Sequence, residues 1–230
     1  MFRVAIVCEG PADREILQAI LDHYLDDYEP RPIQPPTGVV GGDAGPLGGG
    51  WKGVRAWCRQ ESDAQNDFVA VLSNADLLII QVDADVACED EHAPTLPCPP
   101  TSPRCGYVRT LVMGWLGRTG LPPDVLLCVP AAASETWAFV ALHPKAPEVK
   151  VCTPQGPPDC IECRLDIKQV IRKTARHRRP KLVVSTDGRL KNQADGYKAA
   201  ATDITTGWND VLATCHEAKA FHNALVTQLP

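Results

Sequence analysis

Residues 77–90 read LLIIQVDADVACED. Four apolar residues and a Gln lead into Val82, a short run that suits a strand buried on both faces. Two carboxylates follow, Asp83 and Asp85, with one small residue between them. On an extended backbone they project to the same side, because side chains alternate with period two. Two like charges that close repel each other and raise a pKa unless a cation sits between them.

Outward from this strand, buried runs alternate with helical patterns. FRVAIVC (2–8) is a mostly apolar run rich in branched residues, and Gly10-Pro11 turns the chain. Ile16, Leu17, Ile20, Leu21 and Tyr24 then share one helical face. Residues 30–50 are Pro- and Gly-rich, and the glycine cluster that ends them reads as a mobile loop. Its GGDAGPLGGG lacks the Lys-Ser/Thr of a nucleotide-binding loop. WKGVRAWCRQ starts a helical stretch that runs toward Ala75. A helix is expected at 106–118, a strand at 124–131 (DVLLCVPA), and a helix ETWAFVAL capped by Ser134. A long amphipathic stretch at 161–178 precedes a short strand, KLVVS, and the tail from 195 to 229 is helical with a break near Gly207. The alternation predicts one α/β domain over residues 1–230, with a largely parallel central sheet flanked by helices.

Two Pro- and Cys-rich segments interrupt the pattern, at 92–105 and 143–163. Their prolines forbid regular helix or central strand, so they read as irregular insertions. The chain has ten cysteines. MFRVAIVCEG leads directly into strand-like sequence without the apolar region of a secretory signal, so a cytoplasmic location is expected and a disulfide scaffold is not. Cys8, Cys58, Cys128 and Cys215 lie in apolar runs and read as small core residues. Cys160-Ile-Glu-Cys163 has the spacing of half a zinc site. Cys98 and Cys105 are the available second pair, with Cys152, Cys88 or His92 as substitutes, and oxidisable thiols are the competing reading.

With 44% hydrophobic and 22% charged residues and no apolar run near 20 residues, the composition is that of a globular domain, and no membrane partner is expected. The net charge of −5 argues against polyanion binding over the whole surface. It leaves room for a local patch. Residues 168–181 carry Lys168, Arg172, Lys173, Arg176, Arg178, Arg179 and Lys181 without one acid, and read either as a solvated helix face or as a track for phosphates.

In open α/β sheets ligands bind beyond the carboxyl ends of the strands. Glu9 follows the first strand, Asp83 and Asp85 the central one, and Glu135 the run at 124–131. Mg²⁺ is the natural ion for such a set, since it takes one or two carboxylates and keeps waters for phosphates.

Glu9, Gly10 and Asp13 in VCEGPADREIL, together with Asp83 and Asp85, form a set that resembles the Toprim fold over roughly residues 2–140. The chain is most similar to small Toprim nucleases of bacterial defence systems, the overcoming-lysogenization-defect and RloB-like types. SETWAF, with Glu135 and Trp137, resembles an element of that group. The resemblance implies a divalent-metal-dependent nuclease acting on DNA or RNA, with Mg²⁺ or Mn²⁺ on Asp83 and Asp85. It makes Glu9 a general base or further ligand and gives Glu135 a second metal or a water to orient. It also calls for a basic group at the phosphodiester, for which Lys191 or Lys181 is the expectation. A partner ATPase is a further implication, and the missing tyrosine-bearing domain removes topoisomerase activity. Three rivals stand beside it: a non-catalytic Toprim-like binding module, a haloacid-dehalogenase-type phosphatase with Asp83 as nucleophile, and a metal-diphosphate sugar transferase. Neither of the last two gives Glu9 a role.

Overall fold

The computed structural model describes residues 1–36, 46–64, 68–89, 103–151, 160–174 and 181–230. β1 (Phe2–Val7), β2 (Tyr28–Gln34), β3 (Leu77–Gln81) and β4 (Val125–Cys128) form a four-stranded sheet in the order β2-β1-β3-β4. Every pairing is parallel, with Val4 opposite Leu77 and Leu78 opposite Val125. Parallel strands are covered on both faces and so read as continuous apolar runs. Every residue of β3 is buried.

Period-two alternation divides these strands between two cores. Val4, Ile6, Leu77 and Ile79 face Ile16, Leu17 and Ile20 of α1 (Pro11–Leu21) and Trp137 and Phe139 of α5 (Glu135–Leu142). Ala5, Val7, Leu78 and Ile80 face Val54, Trp57 and Cys58 of α2 (Gly50–Ala64) and Val108 and Val112 of α4 (Pro103–Trp115). Burying one Leu or Ile is worth about 2 kcal/mol, against about 1 kcal/mol for a backbone hydrogen bond. Burial therefore fixes the position of β3. The one-turn α3 (Val69–Leu72) precedes it.

The Pro- and Gly-rich segment that begins at residue 30 is strand through Gln34. Pro30 and Pro32 are tolerated because β2 is an edge strand and the two are spaced by two, so both missing N–H groups can face away from β1.

Beyond the sheet come α6 (Ile167–Thr174), a hairpin of β5 (Val183–Thr186) and β6 (Arg189–Asn192), and then α7 (Ala194–Ala199), α8 (Ala201–Thr206), α9 (Trp208–Thr214) and α10 (His216–Leu225). β6 was not anticipated. Asp187 and Gly188 turn the hairpin with positive φ (51° and 75°), the conformation that an Asp-Gly pair favours. The expected break at Gly207 is present and has a packing reason: a Cβ there would lie 2.3 Å from the carbonyl oxygen of Ala141. Glycine lets the α8–α9 junction press against α5.

Most of the 92–105 segment lies outside the described residues, including His92 and Cys98. Residues 103–105 belong to α4 rather than to an irregular insertion. Cys8, Cys58, Cys128 and Cys215 are buried free cysteines, as expected. Cys160 and Cys163 are disulfide-bonded. A sulfur in a disulfide is no thiolate, so the expected zinc set loses two of its ligands. Cys105 is buried in α4 beside Val108 and Val112, and Cys152 lies outside the described residues. Among the described residues no helix is long and apolar enough to cross a membrane.

Candidate metal centre at the carboxyl end of the sheet

Three neighbouring strands end at one place and each delivers acid there. After β1, Glu9 and Gly10 lead into α1, whose first turn carries Asp13. After β3, Val82 and Asp83 lead into a 3-10 turn, Ala84–Glu89, that carries Asp85. After β4, residues 129–134 lead into α5, which begins at Glu135. Asp83 and Asp85 meet through this turn and not along an extended strand, as the sequence had suggested.

Carboxylate oxygens of Glu9, Asp83 and Asp85 lie within 4.8 Å of one another, and so do those of Asp13, Asp83 and Glu135. Either set can hold a metal ion, and Asp83 belongs to both. Asp13, Asp83 and Glu135 are buried, Glu9 is half-buried and Asp85 is exposed.

Hydrogen bonds fix the acids. Gln81, fully buried, accepts from the Glu9 N–H at 3.2 Å and donates to Asp83 Oδ1 at 2.6 Å. The Asp83 N–H donates to Glu9 Oε1 at 2.8 Å, so the two loops are tied in both directions. Ser134 stands at the N-cap of α5 but caps nothing with its side chain. Its N–H donates to Asp83 Oδ1 (3.1 Å) and its hydroxyl to Asp13 Oδ1 (2.5 Å). The expected cap residue instead joins two acids.

Electrostatics reflect the crowding. Burial, with the charges of Asp13, Glu9, Glu135 and Asp85, holds the Asp83 carboxyl well above the usual range. Burial and Asp13 do the same to Glu9, against the pull of the Asp83 N–H. Burial and the charge of Glu135 push Asp13 up to about 7, and push Asp85 up to about 6 although Lys168 opposes the shift. Such a set ionises fully only with a cation among it.

Among the described residues, buried polar atoms at this site without a hydrogen-bond partner include Glu135 Oε2, Asn192 Oδ1 and the hydroxyl of Tyr197. Burial and the charges of Glu135, Asp13 and Asp83 push the Tyr197 hydroxyl well up. The donor set is hard oxygen throughout and one buried carboxylate oxygen is unused, which fits Mg²⁺ or Mn²⁺.

Among the described residues, Lys168 rather than the expected Lys191 makes an ion pair with the acids. Ile167, Val170 and Ile171 bury one face of α6, and this seats Lys168 with its Nζ 3.4 Å from Glu135 Oε1. Asn192 of β6 donates to the same oxygen. Lys191 precedes Asn192 in the strand, so alternation turns it the other way, and it is exposed. Lys181, Arg172 and Lys173 are exposed as well. Arg176, Arg178 and Arg179 lie outside the described residues. Trp137 belongs to the core, where it stacks on Phe221 and its indole N–H donates to Glu162.

Gln81, Ser134 and Asn192 were missed as parts of the site. The Asp187-Gly188 pair was an available signal for the hairpin that brings Asn192 in. Nothing local marks Gln81, whose partners are 72 residues away and two residues away.

No family model, curated protein or solved structure matches the chain.

Proposed function

We propose that the protein is a divalent-metal-dependent phosphodiesterase acting on nucleic acid, a small nuclease of Toprim type. The observation that carries this reading is the shared carboxylate: Asp83 stands in both three-acid sets, the arrangement a pair of ions needs in order to sit side by side. Acids at the carboxyl ends of parallel strands, with Glu9-Gly10-Asp13 in the first loop, agree with the Toprim resemblance.

Glu9, Asp83 and Asp85 would hold one ion and Asp13, Asp83 and Glu135 the other. Mg²⁺ or Mn²⁺ there would neutralise phosphate charge and lower the pKa of a water. The chain's own contribution is orientation. Gln81 and the Ser134 N–H both engage Asp83 Oδ1, and the Ser134 hydroxyl holds Asp13. The exposed edge of the site, at Asp85, faces solvent where a polymer can enter. Arg172 and Lys173, on the same helix as Lys168, supply charge for its backbone.

The phosphatase reading with Asp83 as nucleophile leaves Glu9, Asp13 and Glu135 without work. The test is cleavage of end-labelled single- and double-stranded DNA and RNA with Mg²⁺ or Mn²⁺, by the wild type and by Asp83→Asn. Metal-dependent cleavage that vanishes in the variant supports the proposal. Cleavage that survives in Asp83→Asn, or metal binding without cleavage of any of the four substrates, goes against it.

A further inference from the structure

We infer that Lys168 is an exchangeable internal counter-ion: a divalent ion taken up by Asp13, Asp83 and Glu135 displaces its ammonium from Glu135 and releases that charge for a substrate phosphate. This rests on the proposal that the acids bind metal.

Four observations carry the inference. Lys168 reaches Glu135 at 3.4 Å, longer than the 2.7–2.9 Å or so of a well-made charge-assisted hydrogen bond. Its side chain is 40% exposed while Glu135 is 1% exposed, so the lysine has somewhere to go and the carboxylate does not. Asn192 already donates to the same Glu135 oxygen, so that oxygen keeps a donor when the ammonium leaves. The other oxygen of Glu135 is buried with no partner, so the lysine leaves the site half satisfied.

The charges agree with the geometry. Burial disfavours the Lys168 ammonium, but the charges of Glu135, Asp83 and Asp85 outweigh it and leave its pKa raised. The lysine in turn eases the ionisation of Asp13 and Asp85. One positive charge touching a single acid thus stands in for a cation among three. A divalent ion bound by all three carboxylates replaces that partial compensation, and like charge then repels the ammonium. A purely structural ion pair, fastening α6 to α5, would stay closed when metal binds.

The test follows Lys168 directly in the full-length chain. Reductive methylation of lysines is timed by mass spectrometry with and without Mg²⁺, with exposed Lys219 of α10 as reference and calorimetry on the same samples. The inference expects Lys168 to react several-fold faster with Mg²⁺ while Lys219 keeps its rate. It also expects Lys168→Met to bind Mg²⁺ roughly tenfold more tightly, the equivalent of one displaced ion pair. Calorimetric binding with an unchanged or slower Lys168 rate would overturn the exchange and leave the metal reading standing. Unchanged or weaker Mg²⁺ affinity in Lys168→Met would overturn it too. No Mg²⁺ heat in the wild type removes both.

Discussion

Among the described residues, the turn that holds Glu162 and the carboxyl end of the sheet both bury carboxylates, and they treat them in opposite ways. Glu162, in a 3-10 turn at Ile161–Cys163, sits against the N-terminus of α10. Its Oε2 accepts from the His216 N–H at 2.7 Å, and its Oε1 from the N–H groups of Glu217 (2.9 Å) and Ala218 (3.4 Å) and from the Trp137 indole (3.4 Å). Both oxygens are committed to a helix end that would otherwise expose orphan donors. At the sheet's carboxyl end, Glu9 and Asp83 are held through one oxygen each, and Glu135 keeps an oxygen with no partner. A buried acid that serves the fold uses its oxygens on N–H groups. Acids that serve a ligand keep oxygens back and tolerate mutual repulsion.

The largest expected effect comes from Glu162. Glu162→Ala leaves three N–H groups and an indole without an acceptor, and should lower stability by about 3 kcal/mol in urea denaturation. Mg²⁺ binding by the folded fraction should not change. Asp83→Asn should act with the opposite sign: it keeps the acceptor oxygen, removes one charge from the crowd, and stabilises the metal-free protein by about 1 kcal/mol. A destabilised Asp83→Asn would place Asp83 with Glu162 among structural acids and break the comparison.

pH sharpens it further. Asp13 and Asp85 have folded-state values of about 7 and about 6, above the 3.8 of an ordinary Asp. Between pH ~4 and ~7 the folded state therefore binds more protons than the unfolded one, so metal-free stability falls as pH rises through that window and levels off above it. Burial raises Glu162 to about 7, which adds a slope of the same sign. Saturating Mg²⁺ should remove only the cluster's share. Denaturation midpoints at several pH values, with and without Mg²⁺, measure this. An identical slope in both series would show that the cluster does not bind the ion. The smallest effect is that of Tyr197→Phe, which deletes a buried hydroxyl without a partner. It should change stability by no more than about 0.5 kcal/mol, in the stabilising direction, in the same assay.

Much of the acidic end was legible in the sequence because strand pattern and acid occur together. Apolar runs end in Glu9 and in Asp83, and parallel strands put such ends side by side. Whatever depended on contact between distant segments was not legible. Lys168 reaches Glu135 across 33 residues, so that a lysine of the basic patch serves the acids while Lys191, beside Asn192, does not. The disulfide-bonded state of Cys160 and Cys163 cannot be read from a Cys-x-x-Cys spacing, which suits zinc equally well. Glu162 lay between those cysteines and gave no sign of its role, because its donors belong to a helix that starts 54 residues later.

The most direct test of the central claim is the number of Mn²⁺ ions bound per chain, measured by calorimetry on the wild type, Asp83→Asn and Asp85→Asn. The shared-carboxylate account predicts two ions for the wild type, none at comparable affinity for Asp83→Asn, and one for Asp85→Asn, held by Asp13, Asp83 and Glu135. Two ions retained by Asp83→Asn, or none bound by the wild type, would contradict it.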